Sequence, residues 1–176
     1  MNEVLFSEAR IRDALGRVAA RLAVEDKVGE VLIYGGASMV LVFRARPATR
    51  DVDAVILSEH AAVERAVRDV GQEMALPRSW LNEQATAYLP RQKDPHPLVV
   101  FDHPNLRVMS VSAEYLLAMK MRAARGGRDL ADIGTLARHL KVGNLPEALV
   151  VHDRLFPHDP LPLEKQLRIE DALQQD

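Results

Sequence analysis

The sequence predicts a mixed α/β (α+β) fold whose C-terminal part is helical. The first observation is a set of short apolar runs bounded by turn residues, which are typical of strands; they span residues 28–34, 54–57, 98–101 and 106–111. The second is that longer segments with apolar residues at helical spacing separate these runs. The third is that helical patterns alone follow the last run. We therefore expect a core at 1–111 and a helical part at 112–176 that packs on it.

Three helices are predicted within the core. The first is Ser7–Val24, and the others are the short segment Ala37–Phe43 and the longer segment His60–Met74. Ser58 is expected to cap the third helix and Pro77 to end it, because Ser is a good N-cap and Pro cannot continue a helix.

The segment after the third helix is predicted to contain a loop and a hairpin. Trp80 is the single tryptophan, and we interpret it as a core anchor rather than as a platform for base stacking. A short helix is expected to end near Tyr88, and the polar, proline-containing segment 91–97 is expected to be a loop. Strands at 98–101 and 106–111 would form a hairpin at the edge of the sheet.

The C-terminal part is predicted to contain four helices. Ser112 caps the first, Gly126-Gly127 separates the first two, and Asn144 with Glu147 forms a capping box for the third. The predicted helices are Ser112–Arg125, Arg128–Leu140, Asn144–Phe156 and Leu163–Gln174.

Composition limits the classes of function. The chain has 176 residues, 48% of them hydrophobic, and a net charge of −2, which argues against a nucleic-acid binder that uses its whole surface but not against a local basic cleft. It has no cysteine, so disulfides, thiol catalysis and cysteine zinc sites are excluded. Residues 1–10 do not form a signal peptide and no apolar segment is long enough for a membrane span, so we expect a cytoplasmic protein without a membrane partner.

The most informative motif lies within residues 31–57. An apolar run ends at Gly35-Gly36, and Asp51-Val52-Asp53 leads into the next apolar run. Side chains alternate along a strand, so the two carboxylates are expected on one face, and a glycine pair lets the backbone approach a ligand closely. Together these parts suit a metal-bound nucleoside triphosphate.

Polar residues around this motif have two interpretations each. Ser38 is either a helix cap or a hydroxyl that contacts phosphate. Arg44, Arg46 and Arg50 crowd the loop before the aspartates, and they are either solvated or attract a nucleotide or an RNA end. Asn82 is either a local cap or a residue that faces the cleft.

A second group of charges lies on the predicted helices of the C-terminal part. The helical neighbours of Lys120 are apolar, so its ammonium is expected either to reach an anionic partner or to extend into water. Asp129 is at a helix start, where it would serve as a cap, whereas Asp132 adjoins the apolar face of the same helix.

The glycine pair followed by Asp51-x-Asp53 resembles the signature of the nucleotidyltransferase superfamily that includes DNA polymerase beta. The run from Leu116 to Lys120, followed by Arg128-Asp129-Leu130-Ala131-Asp132, resembles the minimal, toxin-type members related to abortive-infection toxins. This resemblance covers about residues 28–140. It implies a mixed sheet flanked by helices, with a helical C-terminal part.

The resemblance also implies roles for individual residues. Asp51 and Asp53 would hold Mg²⁺, and Lys120 and Asp132 would complete the catalytic group. The nucleotide would be bound by Gly35, Gly36, Ser38, Arg50 and Arg128. The activity implied is Mg²⁺-dependent transfer of a nucleotide from a nucleoside triphosphate to a hydroxyl of tRNA or protein, by a toxin that a cognate antitoxin protein neutralises.

One departure from the family pattern keeps a second hypothesis open. Many members carry a third carboxylate on a later strand, and the matching run 106–111 has none. The alternative is therefore a nucleotidyltransferase-fold binding module with impaired catalysis, acting as a regulator or antitoxin-like partner. A third interpretation is a structural domain whose aspartates only terminate a strand.

Overall fold

The structure, a computed structural model, describes residues 4–174. It confirms the mixed α/β fold. Internal contacts divide the chain into two compact units. The first contains the residues up to Ala87 together with Pro97–Val111, and the second contains Tyr88–His96 together with the residues from Ser112 onward. The predicted division assigned 88–96 to the first part, whereas the contacts of this segment are with the second.

The first unit is built on a five-stranded mixed sheet. Its strands are β2 (Gly29–Ile33), β4 (Val52–Ser58), β5 (Leu81–Asn82), β6 (Leu98–His103) and β7 (Leu106–Ser110). The strand order is β5-β4-β2-β7-β6, in which β2 is antiparallel to β4 and parallel to β7. β5 runs parallel to β4, and β6 pairs antiparallel with β7 at the edge, which confirms the predicted hairpin. A separate antiparallel pair joins β1 (Phe6–Ser7) to β3 (Ala48–Thr49).

Three helices belong to the first unit: α1 (Glu8–Val24), α2 (Gly35–Leu41) and α3 (His60–Glu73). Ser7 Oγ accepts a hydrogen bond from the backbone N–H of Arg10, so the predicted start of α1 is confirmed. Side chains from α1, α3 and the sheet form one apolar core. Trp80 lies in this core, 1% exposed, and donates from Nε1 to the carbonyl of Val67 at 3.0 Å, which confirms its role as a core anchor.

Two helix starts differ from the prediction. α2 begins at Gly35, two residues early, because the glycine pair forms its first turn rather than a separate loop. α3 is not capped by Ser58; its N-cap is Glu59, in the left-handed region at φ 49°. Ser58 ends β4 instead, and its hydroxyl accepts from the N–H of Glu30, on the neighbouring strand, at 2.9 Å.

The second unit is helical. Its helices are α4 (Ala113–Ala123), α5 (Gly127–Leu140), α6 (Leu145–Leu155) and α7 (Leu163–Leu173). Ser112 caps α4, and Asn144 Oδ1 accepts from the N–H of Glu147 at the start of α6, so both predicted caps are confirmed. Within residues 4–174, no helix combines the length and the apolar character needed to cross a membrane.

The segment 88–96 runs antiparallel along α4. Tyr88 lies near Arg122 at the end of α4, and the carbonyl of Gln92 accepts from the hydroxyl of Tyr115 at 2.8 Å. Asp94 Oδ2 accepts from the N–H of Ser112, at the start of the helix, at 2.6 Å. Chain order along the segment is therefore opposite to chain order along the helix.

Candidate functional site

Asp51 and Asp53 lie at the start of β4. Val52 and Ala54 are fully buried in the core, whereas Asp51 and Asp53 are half-buried. Because side chains alternate along a strand, this burial pattern places Asp53 on the face opposite to the core. Asp51 directly precedes the strand and continues the alternation.

Gly35 lies directly beside Asp53. The backbone N–H of Tyr34 donates to the carbonyl of Asp53 at 3.1 Å, so the end of β2 is tied to the start of β4. Gly35 has φ +62°, and a Cβ atom built on it would lie 2.9 Å from Asp53 Oδ2. Glycine is needed here for both the left-handed backbone and the close approach of the carboxylate.

Gly36 lies against the loop that precedes the aspartates. A Cβ atom at this position would come within 2.1 Å of Thr49 Oγ1 and 3.9 Å of an Arg46 guanidinium nitrogen. The sequence motif thus brings together Gly35, Gly36, Asp53 and the arginine loop within the first unit. Arg44 and Arg50 are exposed on this loop and Arg46 is half-buried.

Burial raises the pKa of the Asp51 carboxyl above its usual range, and the positive charge of Arg50 opposes this shift. At neutral pH the Asp51 carboxyl is ionised, and because burial disfavours this charged form, the residue lowers the free energy of unfolding. Carboxyls with raised pKa values are common at sites that bind cations or perform chemistry, although structural sites show them as well.

Ser38 occupies a position that sequence reasoning did not anticipate. It is fully buried in α2, and the N-cap of that helix is Tyr34. Its hydroxyl lies 2.8 Å from Ser110 Oγ on β7 and 3.4 Å from the carbonyl of Ile33. Ser38 therefore links α2 to β2 and β7, and its hydroxyl is engaged inside the unit.

A further carboxylate, that of Glu83, interacts electrostatically with Tyr34 at the end of β2. Tyr34 is 1% exposed, and its pKa is raised, first by burial and then by the negative charges of Asp53 and Glu83. Glu83 accepts from the N–H of Ile56 on β4 at 2.9 Å and contacts His60 Nε2 at 2.7 Å. Sequence reasoning missed Glu83 because it follows a strand of two residues that has no pattern of its own.

Asn82 is paired with Asp53 across the parallel ladder between β5 and β4. Its side-chain amide donates to the carbonyl of Ser79, and its Oδ1 accepts from the N–H of Gln84, so it forms the local cap that the sequence left as one of two possibilities. β7, the strand expected to supply a third carboxylate, carries none.

Lys120 in the second unit is enclosed by two carboxylates. Its Nζ lies 2.9 Å from Asp129 Oδ1 and 2.8 Å from Asp132 Oδ2. The Lys120 side chain is 13% exposed and that of Asp132 is 5% exposed, so this ion pair is largely removed from water. Burial acts to raise the pKa of Asp129, but hydrogen bonds and charge from Lys120, with help from Arg125, outweigh it and hold this pKa below its usual value. Arg128 is exposed in the first turn of α5.

The donor set suits Mg²⁺, which is commonly bound by one or two carboxylates together with substrate phosphates. Asp51 and Asp53 would be the carboxylates of such a site. In the part of the chain that the structure describes, no group of three or more His, Asp or Glu side chains is arranged to hold a metal ion.

Comparison of the chain with protein-family models, characterised proteins and solved structures gives no match. The resemblance to nucleotidyltransferases therefore stays a prediction that rests on the motifs themselves.

Proposed function

We propose that the first unit binds a nucleoside triphosphate with Mg²⁺ beside the glycine pair, and that the protein transfers a nucleotide to a hydroxyl acceptor. The observation that carries this proposal is the contact between Gly35 and the carboxylate of Asp53. A triphosphate needs close approach to backbone and a carboxylate-held cation at the same place, and this contact puts the two beside each other.

Within this proposal each residue has a defined role. Asp51 and Asp53 hold Mg²⁺, which when bound offsets triphosphate charge and lowers the pKa of the attacking hydroxyl. The backbone N–H groups of Gly35 and Gly36, in the first turn of α2, are the proposed donors to the phosphates, and Arg50 attracts the phosphates electrostatically. The acceptor oxygen forms a bond to the α-phosphorus, the bond to pyrophosphate breaks, and the hydroxyl proton leaves to solvent.

The family resemblance extends the proposal to the acceptor and the setting. It favours tRNA or a protein as the acceptor, in the cytoplasm, and a toxin that is neutralised by a cognate antitoxin. The catalytic roles of Lys120 and Asp132 and the nucleotide-binding role of Arg128 stay predictions of the resemblance alone. The burial of Ser38 leaves it a structural role in α2.

The proposal is tested by transfer of label from each of the four α-³²P nucleoside triphosphates, with Mg²⁺, to total RNA or total protein. Asp53→Asn keeps the size of the side chain and removes the charge. Asp102→Asn on the exposed edge strand β6 is the matched control. We expect incorporation by the wild type and the control but not by Asp53→Asn. Equal incorporation by all three proteins, or by none, would refute it.

The residue paired with Asp53 on the neighbouring strand β5 favours a second candidate function, a module that binds a nucleotide without transferring it. That residue is the neutral Asn82, and β7, the strand on which the family pattern often has a third carboxylate, carries none. Calorimetry separates the two candidates. A binding module would bind a nucleoside triphosphate and leave it intact, and a transferase would release pyrophosphate when the acceptor is added.

A further inference from the structure

The second unit has a surface at which an exposed aromatic ring lies beside two guanidinium groups, with two further cations on the segment that carries the ring. We call it the strap surface; it consists of Tyr88, Arg91 and Lys93 on the segment along α4, of Arg122 in the last turn of α4, and of Arg125 just after that helix. The guanidinium carbons of Arg122 and Arg125 lie 5.8 Å and 5.3 Å from the centroid of the Tyr88 ring, within the range of cation–π contact.

Arg122 is itself anchored within the second unit. Its Nε lies 2.5 Å from Asp159 Oδ2, and its guanidinium carbon is 4.9 Å from the ring centroid of Phe156. Arg122 is thereby held between Phe156 and Tyr88. Tyr88 itself is 44% exposed, so the supported ring is accessible to a ligand.

Three cations of the strap surface are exposed: Arg91, Lys93 and Arg125. Arg91 and Lys93 have no carboxylate partner within residues 4–174, whereas the charge of Arg125 acts on the carboxyl of Asp129. Gln92, between the first two, is tied to the protein through its carbonyl and through its amide, which donates to the carbonyl of Arg154. Among the other exposed arginines of this unit, Arg154 and Arg168 are paired with carboxylates, whereas Arg128 and Arg138 are not paired within residues 4–174.

We propose that the strap surface binds single-stranded RNA, with a base stacked on Tyr88 and phosphates contacted by Arg91, Lys93 and Arg125. Unpaired bases stack on tyrosine rings and on guanidinium planes, and cations beside the ring track the backbone. The surface is small and local, which fits a chain whose net charge is −2 and argues against a partner that must be wrapped, such as duplex DNA. Single-stranded loops and ends with accessible bases are the usual targets of such surfaces on RNA.

This inference does not rest on the proposed function. If the protein binds RNA at the strap surface but transfers no nucleotide, the inference holds and the proposed function fails. If the protein transfers a nucleotide to a protein acceptor, RNA binding must still be measured separately. The experiment therefore measures RNA binding in the absence of nucleoside triphosphates.

The test is fluorescence anisotropy of the full chain with a short, unstructured, fluorescein-labelled RNA, as a function of salt. Tyr88→Ala is expected to weaken binding by about tenfold, and Tyr88→Phe, which keeps the ring, should bind as the wild type does. Arg91→Gln with Lys93→Gln should weaken binding and reduce the salt slope by about 0.7 per lost phosphate contact.

The matched control is Arg138→Gln with Lys141→Gln, which removes two exposed cations without carboxylate partners from another part of the same unit. It should leave RNA affinity unchanged. Equal loss in this control would overturn the proposal, because it would mean that overall charge and not the strap surface determines binding. The proposal also fails if the wild type does not bind the RNA, if Tyr88→Ala has no effect, or if single-stranded DNA or polyglutamate competes as well as unlabelled RNA.

Discussion

The carboxylate of Asp53 lies against the backbone of Gly35: the position of a Cβ atom on Gly35 is 2.9 Å from Asp53 Oδ2. The two residues are 18 positions apart and belong to different elements, α2 and β4. Their contact exists because β2 pairs with β4, so that the end of one strand meets the start of the other. A ligand beside Gly35 would therefore also be beside a carboxylate.

Replacement of Gly35 by alanine should impair both stability and nucleotide binding. Ala at φ +62° costs about 1–2 kcal/mol, and its methyl group would displace the Asp53 carboxylate. Gly16→Ala is the control, because nothing lies within 4 Å of a Cβ there and the position is inside α1. That control should raise the free energy of unfolding by about 0.5–1 kcal/mol. Urea unfolding measures both changes, and a neutral Gly35→Ala would contradict the geometry.

A double-mutant cycle tests the contact between Gly36 and Thr49. Gly36→Ala should be strongly destabilising, because the new methyl group would overlap Thr49 Oγ1. In a Thr49→Ala background the same change should cost less, with a coupling energy of about 0.5–3 kcal/mol. If the two changes are additive in urea unfolding, the two residues do not pack as described.

Lys120→Met should destabilise the protein by about 3 kcal/mol or more, because it removes the ammonium that lies 2.9 Å and 2.8 Å from two carboxylates with little exposure. Adding Asp129→Asn and Asp132→Asn should recover much of this loss, since no uncompensated charge then remains. The control is Arg168→Met, which breaks an exposed pair with Glu164 and should cost less than about 0.5 kcal/mol. Thermal unfolding in parallel compares the variants; a small effect of Lys120→Met would indicate that the charges are solvated.

Asp51 and Asp129 should affect the pH dependence of stability with opposite signs. The folded pKa of Asp129 is lowered, so its contribution is present above the unfolded pKa of about 3.9 and is lost as the pH falls through the folded pKa. The folded pKa of Asp51 is raised, so its charged form destabilises the folded protein. This destabilisation is complete at pH values above the folded pKa and absent at pH values below the unfolded pKa.

Asp129→Asn should therefore destabilise at pH 7, and Asp51→Asn should stabilise, with both effects shrinking toward low pH. Urea titrations of the wild type and the two variants, from pH 7 downward, measure these differences. A stabilising effect of Asp129→Asn at neutral pH, or a loss of stability in Asp51→Asn, would show that the assigned causes of the shifts are wrong.

Local features of the fold are predictable from the sequence where one residue type determines the local structure. Ser112 and Asn144 are recognisable as caps because their side-chain oxygens satisfy free N–H groups of the first helical turn. Trp80 is recognisable as core because a large ring is most stable when packed, and it stacks on Phe6 at 6.1 Å between centroids.

Features that depend on distant pairing were not predictable. β5 has two residues, and it is a strand because it pairs with Val52 and Asp53 on β4. The same holds for β1 and β3, which have two residues each and pair with each other. Glu83 and Asp53 come close enough to act on the buried Tyr34 only through such pairing, so no local pattern indicated this group. The burial of Ser38 was not predictable, because sequence spacing does not show that Ser110 lies opposite it.

The central claim is that a triphosphate binds beside Gly35 and Asp53. The most direct measurement is a crystal structure of the wild-type protein grown with Mg²⁺ and a non-hydrolysable nucleoside triphosphate analogue. We predict density for the phosphates against Gly35 and Gly36, with a cation on the carboxylates of Asp51 and Asp53. A nucleotide bound elsewhere, or a glycine turn that remains free at saturating analogue, would contradict the claim.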